Sequence, residues 1–123
     1  MDWNKYPNFK PSEFACKHCG KVEMQPAFMA KLQQLRNAYG KPMIITSGYR
    51  CPEHPVEAKK SSPGVHTMGL ACDVAVQGTD AYNLLKLALA FEFTGIGVQQ
   101  KGGGRFLHLD TMRLAPRPNV WSY

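Results

Sequence analysis

Three residues in this chain have the types and spacing that can hold a metal ion. His66-Thr-Met-Gly-Leu-Ala-Cys-Asp73 sets a histidine and an aspartate seven positions apart, and Phe106-Leu-His-Leu-Asp110 embeds His108 in an apolar run. An ionised aspartate in an apolar strand is costly unless it is paired, hydrogen-bonded or bound to a cation, so Asp73 needs a partner. Alternation puts Asp73 on one face of the run 70–76 with Ala71, opposite Cys72 and Val74. In the run 106–110 it puts Phe106, His108 and Asp110 on one face, with Leu107 and Leu109 on the other. Two neighbouring strands then aim Asp73 and His108 at one point. The chain entering the first strand brings in His66, and the small residues Gly69 and Ala71 leave room beside it. Two imidazoles and a carboxylate are the protein ligands of a catalytic zinc with an open fourth position, and the same set suits non-haem iron. A turn histidine and an Asp73 paired with Arg50 or Arg113 would satisfy the same burial argument, and spacing alone does not choose.

A second set of soft ligands comes from Cys16, Cys19, Cys51 and Cys72. Cys16-Lys-His-Cys19 has the spacing of half a zinc knuckle, with His18 inside it, but no second CxxC follows. Cys51 and Cys72 complete four sulfurs only if the fold gathers them. Without an export signal a disulfide framework is not the default, and free or partly buried thiols are the plain expectation.

The elements that must position these residues follow from pattern and punctuation. Phe9 to Phe14 reads as a turn into a short helix with Ser12 as N-cap, ended by Gly20. A longer helix has Pro26 in its first turn, Phe28, Leu32, Leu35 and Tyr39 as its stripe, and Gly40 as its stop. The run 42–46 is apolar and β-branched and predicts a buried strand ending at Ser47-Gly-Tyr-Arg50. Residues 51–65 hold three prolines, a glycine and several charges, and predict a long loop of the kind that forms a functional rim. Strand character resumes over 70–76, and Thr79 or Asp80 caps a second helix through Leu84, Leu85, Leu87, Ala88 and Phe91. The runs 94–98 and 105–110 predict a hairpin, and the tail Ala115 to Tyr123 reads as irregular. The result is a single α+β domain over residues 1–123, its small sheet mostly antiparallel and its helices packed on one side.

The chain has 123 residues, 44% of them hydrophobic, enough for one core. No apolar run is long enough to cross a bilayer, which argues against membrane insertion, and the first ten residues lack a signal-peptide segment, so synthesis in the cytoplasm is expected. A net charge of +6 favours anionic partners such as nucleic acid, anionic lipid or bacterial cell-wall polymer. Nucleic acid is not expected as one, because no basic run is interleaved with aromatic residues.

The segments SGYR at 47–50, HTMGLACD at 66–73 and FLHLD at 106–110, in that order, resemble the zinc D-alanyl-D-alanine carboxypeptidase and L-alanyl-D-glutamate endopeptidase family of peptidoglycan peptidases. That group includes phage endolysins and shares a fold with vancomycin-resistance dipeptidases and the Hedgehog signalling domain. The likeness runs from about Phe9 to Asp110, and the Ser-Glu-Phe and CxxCG of residues 12–20 are also familiar from phage and bacterial members.

The resemblance implies that His66, Asp73 and His108 bind Zn2+ and that Arg50 grips or polarises the substrate near the scissile carbonyl. It implies hydrolysis of a peptide bond in the peptidoglycan stem peptide, at the wall, in host lysis, in wall remodelling or from the virion; a monomer is expected. Two positions depart from the pattern. Gly64 stands where the family often has a serine, and Arg105 stands where many members carry an acidic general base. A guanidinium cannot accept a proton, so Asp110, on the face of His108, is the substitute expected to act as base or to hold His108 in its ligating tautomer. Glu53, His54 and Glu57 on the loop are the other candidates. A non-catalytic, zinc-stabilised wall-binding module is the alternative, and a zinc-knuckle nucleic-acid binder built on Cys16 and Cys19 is a third reading.

Overall fold

The computed structural model describes residues 1–62 and 64–123. The helices follow the signals that the sequence carries. A single short turn of helix, α1 (Pro11–Phe14), is capped from position 10 rather than at Ser12: the Lys10 amide donates to the Glu13 carboxylate at 2.8 Å, and Pro11 fills the first turn. Pro26 opens α2 (Pro26–Tyr39), which buries Phe28, Met29, Leu32 and Leu35. Gly40 closes it in the left-handed region at φ +74°, its amide donating to the Arg36 carbonyl. The last helix, α3 (Gly78–Ala90), begins before the expected cap, from Gln77. Asp80 falls in its first turn, where a carboxylate suits the positive end of the helix dipole, and pairs with Lys41 at 2.7 Å.

Five strands form one sheet in the order β1-β2-β4-β3-β5: β1 (Ile44–Ser47), β2 (Ala71–Ala75), β3 (Gly95–Gln99), β4 (Phe106–Asp110) and β5 (Asn119–Ser122). The first three pairings in that order are antiparallel, and β5 joins β3 in parallel. Two expectations are corrected. The apolar run 42–46 does not become a buried strand: β1 is an edge strand with Ile44 65% exposed, because only β2 pairs with it. The tail is not irregular throughout. Its last residues add β5 to the sheet, with the Asn119 amide donating to the Thr94 carbonyl at 2.8 Å.

Register makes the sheet two-faced. Cys72 opposes Leu109 and Val74 opposes Leu107, while Ile96 and Val98 oppose the same two leucines from β3. This face belongs to the core, with Phe14, Phe28, Met29, Leu32, Leu35, Leu84 and Phe93. On the other face Asp73 opposes His108 and Ala71 opposes Asp110. Among the described residues no helix is long and apolar enough to cross a membrane.

Candidate metal centre

The β2–β4 register places Asp73 directly across from His108. His66 reaches them from the turn before β2, a turn that depends on Gly69. Its φ of +71° is one that L side chains rarely adopt, and a Cβ there would lie 2.2 Å from the Glu23 carbonyl. The His108 Nδ1 lies 3.1 Å from Asp73 Oδ1, His66 Nε2 lies 3.5 Å from the same oxygen, and the two imidazole centroids are 5.1 Å apart. One donor atom from each residue lies within 4.8 Å of the others, and all three residues are buried.

The outer nitrogen of each ring fixes its tautomer. His66 Nδ1 lies 2.8 Å from the Gly48 carbonyl, which can only accept, so Nδ1 carries the hydrogen and Nε2 presents a lone pair to the cluster. His108 Nε2 lies 2.7 Å from Asp110 Oδ2 and donates to it, leaving Nδ1 to face Asp73. In neutral rings held this way, two nitrogen lone pairs and a carboxylate converge without a hydrogen among them. Only an added proton or a cation relieves that arrangement, and the donor set with its oriented outer nitrogens fits zinc.

The electrostatics agree. Burial pushes the Asp73 carboxyl up, but His108 and His66, which donate to it once a ring takes up a proton, outweigh burial and hold the group well below the usual carboxylate range. Burial pushes His108 down, and the bonds to Asp110 and Asp73 outweigh that to raise it. Asp110 is wholly buried. Burial raises it, yet His108 and Arg117 bring it down to about 2.

Asp110 sits behind His108. Its Oδ2 accepts from His108 and from Arg117 Nη2 at 2.8 Å, and its Oδ1 accepts from Arg117 Nε at 3.0 Å and the Met112 amide at 3.2 Å. Gly95 on β3 makes room for it: a Cβ there would lie 2.2 Å from Oδ2. Arg50 meets the other carboxylate oxygen of Asp73. Its Nη2 is 3.5 Å from Asp73 Oδ2, Nη1 is 3.4 Å from Glu57 Oε2, and Nε donates to Ser47 Oγ at 3.2 Å. Arg113 instead lines a neighbouring groove.

A cavity of about 550 Å³ opens over the cluster, lined by Arg50, His66, Asp73 and His108 together with Lys60, Trp121 and Tyr123. A larger groove of about 660 Å³ runs alongside and shares Met112, Leu114 and Arg117 with it. Asp73 is the one carboxylate among the described residues that lines the cavity. The loop candidates do not reach it. Glu53 is exposed, and His54 Nδ1 accepts from the Val56 amide. Glu57 is buried and organises the loop, accepting from Thr67 Oγ1, the Gly64 amide and Lys60. Arg105 lies away from the cluster, bonded to the Gly102 carbonyl. Pro63, in the expected loop, lies outside the described residues.

Three tail residues at the site escape a reading by motif. Trp121 packs at a tilt against His108 with centroids 5.2 Å apart, Arg117 lies 4.9 Å over the Trp121 ring while gripping Asp110, and Tyr123 packs on Phe106. The available signal was the alternation in Asn119-Val-Trp-Ser-Tyr123, which sets both aromatics on one face.

The buried imidazole–carboxylate–imidazole set, with its outer nitrogens fixed and a cavity open above it, can hold one metal ion and leave a coordination position free. Residues 7–110 match the family model for Peptidase M15, and the chain belongs to that family, whose peptidases are zinc dependent. No curated protein matches the sequence.

Proposed function

We propose that this metallopeptidase hydrolyses a peptide bond in the stem peptide of bacterial peptidoglycan, as an endopeptidase or a D-Ala-D-Ala carboxypeptidase. The observation that carries the reading is the His66–Asp73–His108 cluster at the floor of a cavity rimmed by cations. His66 Nε2, His108 Nδ1 and an Asp73 oxygen would hold Zn2+. When bound, zinc acidifies a water and polarises the scissile carbonyl.

The chain's own groups supply the rest. Arg50 is braced by Ser47 and Glu57, and its guanidinium binds a substrate carboxylate or the oxyanion that develops. Asp110 keeps the hydrogen of His108 on Nε2, and Arg117 keeps Asp110 ionised, so both are positioning residues. Burial and the Asp73 carboxylate raise the Tyr123 phenol above its ordinary value, so it stays protonated and can donate a hydrogen bond across the cavity. The stem peptide is rich in carboxylates, which suits Arg50, Lys60 and a chain of net charge +6. A role in phage lysis or wall remodelling, exerted at the wall by a protein made in the cytoplasm, is the setting we propose.

One observation favours a second reading, a zinc-stabilised wall-binding module: no carboxylate other than Asp73 lines the cavity among the described residues. Mass spectrometry of a defined muropeptide incubated with the protein, with and without chelator, separates the two. Zinc-dependent fragments identify the scissile bond and remove the binding module. Metal-dependent binding to purified wall with no new amino groups removes the peptidase.

A further inference from the structure

Cys16, Cys19 and Cys51 play no part in the chemistry above, yet the fold gathers their sulfurs within 4.8 Å of one another. Cys72 is not among them, because it lies buried in β2 on the helix-facing side of the sheet. The turn after α1 has the form of a metal knuckle. Gly20 adopts φ +80°, its amide donates to the Cys16 carbonyl at 2.7 Å, and the Cys16 amide donates to the Lys21 carbonyl at 2.8 Å. That reversal turns Cys16 and Cys19 toward one side. Cys51 arrives from the far end of the SGYR segment, and its amide donates to Cys16 Sγ at 3.3 Å. Amide donors aimed at a sulfur stabilise it as a thiolate, the form that binds metal.

We propose that Cys16, Cys19 and Cys51 form a second metal site, specific for a thiophilic divalent ion such as Zn2+ and separate from the His66–Asp73–His108 centre. Sulfurs about 2.3 Å from a tetrahedral zinc lie about 3.8 Å apart, so small rotations from the present positions close the set. A disulfide would use two of the three sulfurs and leave the third without a role. Cys19 is exposed and gives an ion access, while Cys16 and Cys51 are buried. The rings of His18 and His54 stand 6.5 Å apart. His18 lies within the knuckle and is the nearer choice for a fourth ligand, because His54 Nδ1 already accepts from the Val56 amide.

The site clamps two parts of the chain that the active centre needs. It ties the end of α1 to the residue after Arg50, three residues beyond the Gly48 carbonyl that orients His66. This consequence rests on the metallopeptidase reading; the metal site itself does not.

The test is cobalt titration of the metal-free, reduced full chain, read by the sulfur-to-cobalt charge-transfer band in the near ultraviolet. Two equivalents should bind, with the thiolate band present in the wild type and undiminished in His66→Ala. Cys19→Ser, a change at an exposed position, should bind one equivalent and lose the band at stoichiometric cobalt while keeping the wild-type circular dichroism. A single equivalent with no thiolate band, a band unchanged in Cys19→Ser, or a disulfide among these cysteines in protein purified without oxidant would overturn the proposal. None of these readings depends on peptidase turnover, so failure of the peptidase reading leaves the test intact.

Discussion

The two faces of the sheet are built from the same strands and obey different physics. On the helix side Cys72, Val74, Ile96, Leu107 and Leu109 are almost fully buried among helix side chains, and their contribution scales with area. No single contact there has a direction that matters. On the other side a chain of polar contacts runs from the Gly48 carbonyl through His66, Asp73, His108 and Asp110 to Arg117. The Gly48 carbonyl and Asp110 fix the hydrogens of the two rings, and hence the lone pairs that face Asp73. A methylene lost from the first face should lower stability, whereas a heteroatom lost from the second should lower metal affinity and activity.

The sharpest way to break that contrast is His108→Ala. Turnover should fall on the order of 10³-fold or more, because water activation and carbonyl polarisation go together when zinc is lost. Removing the ring also takes a hydrogen bond from Asp110, so the metal-free variant should melt below the metal-free wild type; zinc binding kept at wild-type affinity would show that the ring is not a ligand. Leu109→Ala tests the opposite face. It should cost about 3 kcal/mol in urea unfolding, within the range for a buried leucine, while kcat/KM per folded molecule stays within about twofold.

Asp110→Asn is expected to weaken zinc binding roughly 10- to 100-fold, the usual loss when the carboxylate behind a histidine ligand is changed. It also carries a pH signature. Asp110 is held at about 2 in the folded chain, below the ordinary carboxylate value near 3.9, so its ionised form stabilises the fold. That stability is fully present above the unfolded value and disappears as pH falls toward 2. The metal-free wild type should therefore exceed Asp110→Asn in urea midpoint near neutrality, with the gap closing between about pH 5 and pH 2. A gap independent of pH would mean that the carboxylate charge is not the cause.

The smallest effects come from glycines. Gly95→Ala places a methyl against Asp110 and should weaken zinc binding several-fold in a calorimetric titration. Gly103→Ala meets open space and should change stability by no more than about 0.5 kcal/mol with zinc affinity intact. Equal behaviour of the two would deny that β3 supports the site.

The candidate ligands were legible because strand alternation is a local rule, whereas the pairing that sets Asp73 across from His108 joins residues 35 positions apart. Asp73 among Cys72 and Val74, and His108 among Leu107 and Leu109, announce a polar face by interrupting apolar runs, and α2 announces itself through Pro26, its stripe and Gly40. The exposed position of β1 was not legible, since Met-Ile-Ile reads the same at the edge of a sheet as at its centre. Nor was the tail, because Ala115 to Pro118 carries two prolines and its one arginine finds Asp110 only through the parallel pairing of β5 with β3. The role of Asp110 was open for a similar reason: alternation sets it beside His108, but which side of the ring it approaches depends on where Arg117 and Gly95 stand.

The sequence by itself determined which residues share a face and the bounds of α2, and by residue type it offered His66, Asp73 and His108 as candidate ligands. Those properties depend on backbone periodicity and side-chain type, which are set within a few residues. Only the tertiary structure decided that His66 donates to Gly48, that Asp110 stands behind His108 with Arg117, and that Cys51 joins Cys16 and Cys19 while Cys72 does not. Hydrogen-bond direction and three-sulfur convergence act over a few ångströms in space, across separations of 18 and 35 residues for the Gly48–His66 and Cys16–Cys51 contacts. No local pattern carries that distance information.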